Sequence, residues 1–169
     1  MSLGEFDRAR SLYARLRACA GPARRPELET RAALGESMVL MVGQHPDMSA
    51  FGEQVVEPLA RKYPRSPSAP YLWMQRGKTF TGHSWNKGSP ERVAHFRKVY
   101  RDYPSSHLAE LARWFEIYHG INEHVFEKNR ELYERYRRDY PEGRYLRQVA
   151  AHEQIVLDNF KRMNNKEKL

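Results

Sequence analysis

Apolar residues recur along this chain at three- and four-residue intervals, and in three places the pattern stops on the same pair of residues. The segments are Arg61-Lys62-Tyr63-Pro64-Arg65-Ser66, Arg101-Asp102-Tyr103-Pro104-Ser105-Ser106 and Arg138-Asp139-Tyr140-Pro141-Glu142-Gly143, with the tyrosines 40 and then 37 residues apart. Seven positions before each tyrosine stands Val56, Phe96 or Tyr133, and four before it Leu59, Val99 or Tyr136. Offsets of seven, four and zero share one helical face, so each Tyr-Pro closes a helix whose buried stripe includes the tyrosine. Proline ends the helix because it disfavours helical geometry in the preceding residue and has no N–H to donate.

A new helix is predicted after each Tyr-Pro. In the middle copy Ser106 is the expected N-cap, and Leu108, Leu111, Ala112, Phe115 and Tyr118 form the expected buried stripe before Gly120. Ser89-Pro90-Glu91 is another start, with serine at the cap, proline at the first helical position and an acid in the positive first turn. The pattern predicts helices over about 5–19, 26–43, 49–63, 68–79, 90–103, 106–119, 122–140 and 143–160. Pro58 should kink or split the third. The fold class is therefore all-α, with about eight helices stacked as hairpins in one domain over residues 1–160. Residues 161–169 lack apolar periodicity and read as a frayed, charged tail.

Tyr103-Pro104-Ser105-Ser106-His107-Leu108-Ala109-Glu110-Leu111-Ala112, closing at Gly120, resembles the Tyr-Pro-x-Ser-x-x-Ala-x-x-Ala…Gly pattern of tetratricopeptide-like repeats. The copy beginning at Ser66 departs from it with Pro67 and Pro70, and the one at Gly143 places Ala150 and Ala151 loosely. The resemblance covers residues 50 to 155 and implies a right-handed α-solenoid or a compact helical array. Such repeats serve as binding scaffolds, so it also implies a protein or peptide partner.

Charge sharpens that expectation. The formal net charge is +8, yet residues 1–60 and 102–169 are nearly balanced, while residues 61–101 hold ten cations and a single acid, Glu91. An excess confined to 41 residues suggests a contact surface for an acidic partner. The binding candidates are Arg76, Lys78, Lys87, Arg97 and Lys98, with Trp85 as an aromatic anchor. The alternative is a nucleic-acid or phosphoanion-binding module on the same surface, with aromatic residues interleaved among the cations. No stretch is long and apolar enough to span a membrane, and the first residues carry no export signal.

Residues 74–88 are the most unusual stretch, with Gly77, Gly82 and Gly88 among Arg76, Lys78 and Lys87. Gly77-Lys78-Thr79 is like the end of a phosphate loop, but Leu72 stands where that motif needs its first glycine. Glycines and cations still make a generic anion site there a candidate, beside the plainer reading of a connector. His83 and Ser84 would form an enzyme's base and nucleophile only with an orienting acid, and the segment offers Glu91 alone. Cys19 is the sole cysteine, and the histidines lack metal-ligand spacing. The sequence thus predicts a non-enzymatic scaffold with no catalytic residue, metal or cofactor.

Overall fold

The computed structural model describes residues 3–23, 25–79, 90–120 and 126–166, and these are helical apart from short turns, with no strand among them. The chain divides into two compact units, Met1–Trp85 and Asn86–Leu169. In the first, α1 (Leu3–Ala20) pairs with α2 (Pro26–Val42), and α3 (Met48–Phe51) runs through a π-helical turn (Gly52–Val56) into α4 (Glu57–Lys62). Helix α5 (Ala69–Thr79) packs against α2, the π-helical turn and α4. In the second, α6 (Pro90–Asp102) pairs with α7 (Ala109–Gly120), and α8 (Phe126–Asp139) with α9 (Leu146–Lys166); α7 also touches α8 and α9.

Pro58 explains the interruption of the third predicted helix. Lacking an N–H, and with a ring that would strike the carbonyl four residues back, it is preceded by a widened π-helical turn instead of regular α-helix. At the other end, α9 continues to Lys166, beyond the helix end expected near residue 160. Val156, Phe160 and Met163, spaced four and three apart, carry the covered face into this region, and none of them is exposed.

The stripes read backwards from the Tyr-Pro pairs lie within the cores of the two units. Val56 and Leu59, Phe96 and Val99, and Tyr133 and Tyr136 are all buried. Each fully buried apolar side chain contributes about 1.5–3 kcal/mol. Tyr63, Tyr103 and Tyr140 themselves, expected inside, are only half-buried. Tyr63 and Tyr140 stand one residue past the last helical position of α4 and α8. There the chain leaves the helix, and each tyrosine stays partly accessible.

Helix α7 departs further from expectation. Ala109, Ala112, Arg113, Glu116 and Ile117 are its buried residues, while Tyr118 is exposed and Leu108, Leu111 and Phe115 are half-covered. The buried face is rotated because it carries an ion pair between Arg113 and Glu116. Glu116 also accepts from Arg97 Nε at 2.6 Å and Tyr100 Oη at 3.0 Å, and Arg113 donates to Tyr100 Oη at 2.8 Å. A buried charge is tolerable only when paired and hydrogen-bonded in this way.

Candidate functional site: a groove at the first Tyr-Pro turn

The three Tyr-Pro turns are built by one backbone hydrogen-bond scheme. After α4, the Tyr63 N–H donates to the Leu59 carbonyl at 3.0 Å, Ser66 to Tyr63 at 3.0 Å and Ala69 to Ser66 at 2.9 Å. The same donors and acceptors recur with Tyr103, Ser106 and Ala109, and with Tyr140, Gly143 and Leu146, all between 2.9 and 3.3 Å. Ser66 Oγ accepts from the Ser68 N–H at 3.1 Å, and Ser106 Oγ from the Leu108 N–H at 3.2 Å. Ser106 thus closes the turn ahead of α7, which starts at Ala109, instead of capping the helix directly.

At the first turn two glutamates from the start of α2 complete the structure. Glu27 accepts from Ser66 Oγ at 2.9 Å, Ser68 Oγ at 3.0 Å and Arg31 Nε at 2.8 Å. Partial burial pushes its carboxyl upward, but the bonds from Ser66, Arg31 and Ser68 outweigh that and hold it below the usual value. Glu29 accepts from Tyr63 Oη at 2.7 Å and from Lys62 Nζ at 3.4 Å. The Lys62 ammonium also lies 4.7 Å from the Tyr63 ring centroid, and these contacts, the tyrosine first, raise its pKa. Glu110 performs the comparable task at the third turn, accepting from Tyr136 Oη at 2.7 Å and the Tyr145 N–H at 3.4 Å.

Beside the first turn lies an open groove of about 510 Å³. Pro26, Pro64, Pro67 and Tyr63 supply apolar surface, Glu27 and Ser66 supply polar lining already engaged with each other, and Lys62 and Arg65 add two cations. Both cations are exposed, and among the described residues Arg65 has no ion-pair partner. Apolar walls with a few convergent polar groups are the usual makings of a ligand site.

The residues predicted to form a basic contact surface are distributed differently. Arg76, 6% exposed, is not a surface residue: its Nε lies 3.0 Å from Glu57 Oε2, and Glu57 also holds Arg61 at 2.6 Å. Lys78 is exposed as a residue, yet its ammonium group is partly desolvated, which lowers its pKa. Arg97 is tied to the buried Glu116, which raises its pKa through that hydrogen bond, and Lys98 pairs with Asp102 at 2.5 Å. Arg76 and Lys78 belong to the first unit, Arg97 and Lys98 to the second. Trp85, Lys87, His83 and Ser84 lie outside the described residues. Gly77-Lys78-Thr79 closes helix α5, with Gly77 and Thr79 buried, which is not the strand-to-helix setting of a phosphate loop.

Among the described residues no three His, Cys, Asp or Glu side chains are grouped to hold a metal ion, and no helix is long and apolar enough to cross a membrane. His152 Nδ1 lies 3.0 Å from Tyr133 Oη in the core of the second unit. His119 is stacked on Phe96, and desolvation, with the charge of Arg92 adding to it, lowers its pKa to about 4. Glu27, Glu29 and Glu110 were not singled out from the sequence, where they look like ordinary acids of a first helical turn. The available signal was glutamate at the second position of both α2 and α7. Comparison with protein-family models, curated proteins and solved structures finds no match for this chain.

Proposed function

We propose that the chain is a non-enzymatic helical scaffold of the tetratricopeptide-like kind that binds a protein through a short acidic and apolar segment, seated in the groove at the first Tyr-Pro turn. The observation that carries this reading is the combination of proline and tyrosine walls with Lys62 and Arg65. Proline rings and Tyr63 offer rigid apolar surface that loses little entropy when covered. The two cations favour a carboxylate neighbour, and arginine can hold one with two parallel hydrogen bonds. The recurrent turn geometry supports the scaffold, since it joins successive helices with the same short connection.

Selection of random short peptides on the immobilised protein tests the reading. Enriched peptides should combine a large apolar side chain with Asp or Glu. Lys62→Glu together with Arg65→Glu should weaken their binding at least ~10-fold, with the loss shrinking as salt rises. Enrichment without acidic residues, or affinity untouched by the double variant, refutes the proposed groove. Tight, salt-steep binding of arbitrary oligonucleotides in preference to peptides would favour the nucleic-acid alternative.

A further inference from the structure

The walls of the groove at the first Tyr-Pro turn have little hydrogen-bonding capacity left for a ligand. Pro26, Pro64 and Pro67 have no N–H to give. The Tyr63 N–H goes to the Leu59 carbonyl, the Ser66 N–H to that of Tyr63, and the Ser66 carbonyl accepts from Ala69. Lys62 ends α4, so its N–H bonds within the helix. Both hydroxyls are engaged as donors, Tyr63 Oη to Glu29 at 2.7 Å and Ser66 Oγ to Glu27 at 2.9 Å, and Ser66 Oγ also accepts from the Ser68 N–H. Among the described residues this leaves two lining N–H groups without an acceptor, that of Glu27 on α2 and that of Arg65 in the turn. They stand on different elements and form no row.

A segment that covers such walls loses water from its own backbone and gains few partners in return, and each polar group left unpaired is costly. An extended segment pairs with a sheet edge, where N–H and C=O groups alternate along one strand, and the described residues contain no strand. A polyproline segment has no internal hydrogen bonds, so its covered carbonyls would need donors from the groove, where Tyr63 and Ser66 already serve the two glutamates. An α-helix bonds its interior N–H and C=O groups itself and presents only side chains. We infer that the partner segment docks as an amphipathic α-helix, with apolar residues one turn apart and Asp or Glu on the same face. The inference rests on the function proposed for this groove and adds the conformation of what it binds. Residues at i, i+3, i+4 and i+7 share a helical face, so apolar side chains at i and i+4 meet the prolines and Tyr63 while an acid at i+3 or i+7 meets a cation. Arg65 is the first choice, being exposed with no ion-pair partner among the described residues, whereas Lys62 already has Glu29 at 3.4 Å.

Peptides selected on the immobilised full chain supply the probe, from a random library of ~15 residues, long enough for a helix to form on binding. An enriched peptide, isotope-labelled and bound to the protein, should show helical Cα chemical shifts over two turns or more. Proline placed mid-peptide, at a position the selection leaves variable, should weaken binding at least ~10-fold, because it removes an internal hydrogen bond of the helix. A lactam bridge between variable positions i and i+4 should strengthen binding at least ~3-fold, since the helix is then ordered before it docks. Extended shifts in the bound peptide, or tolerance of the proline, with binding still lost in Lys62→Glu with Arg65→Glu, overturn helical docking and leave the groove as the binding site. Binding that ignores this double variant removes the groove itself, and helical docking in it falls with it.

Discussion

Removing the carboxylate of Glu116 tests the account of the second unit most severely. This side chain is 2% exposed and receives Arg97, Arg113 and Tyr100, so Glu116→Gln keeps its volume while deleting the charge that holds two guanidinium groups. Breaking a buried pair by removing one partner typically costs about 3–5 kcal/mol, because the remaining charge stays desolvated. Two features reduce that figure here. Arg97 is 44% exposed and can turn to water, and Arg113 keeps a second carboxylate, Asp139, at 3.7 Å. The expected loss is therefore about 2–3 kcal/mol, read from the urea midpoint at constant slope. In a domain of this size it lowers the melting temperature by roughly 10 °C or more. Replacing Arg113 by Met and Glu116 by Leu together removes both buried charges and should cost less than Glu116→Gln. A loss below ~1 kcal/mol for Glu116→Gln, or a double replacement that is the more damaging, would refute the argument that pairing is what makes this polar core tolerable.

Two other measurements bear on the core. Tyr103→Ala should cost about 1–2 kcal/mol, against about 3–5 for Phe96→Ala, because Phe96 is fully buried and Tyr103 only half so; equal losses would show the tyrosine to be core. His119 has its pKa lowered from 6.5 to about 4, so the unfolded chain takes up this proton first and stability falls as pH drops from about 6.5 to 4. His119→Gln should flatten that part of the stability–pH curve, and an unchanged slope would remove His119 as its cause.

What was legible in the sequence is what local periodicity determines. Val56, Phe96 and Tyr133 could be placed inside by counting back from a tyrosine, since the helix that buries them ends a few residues later at a proline. The face of α7 was not legible, because its phase depends on Arg97 and Tyr100, 19 and 16 residues from Glu116, which make burial of two charged side chains possible. A pattern that assigns Arg and Glu to solvent selects Leu111, Phe115 and Tyr118 instead. Pro58 marked an interruption, but the widened π-helical turn before it is a three-dimensional response that no spacing announces.

The cationic run shows why charge read along a chain differs from charge at a surface. Within 61–101, Arg61 and Arg76 are met by Glu57, Lys62 by Glu29, Arg97 by Glu116 and Lys98 by Asp102. Every one of these acids lies outside the run, so folding supplies the counter-charges that the linear count omits. The electrostatic part of partner binding should then follow the groove and not the total. Lys78→Glu with Lys98→Glu changes the net charge by the same −4 as Lys62→Glu with Arg65→Glu. Long-range steering depends on that total and should slow association similarly at low salt. A carboxylate held at close range depends on position, so dissociation should quicken only for the pair that lines the groove. Equal dissociation rates for the two variants at physiological salt, where the screening length is about 8 Å, would mean that the partner senses the protein's overall field and makes no contact with Lys62 or Arg65.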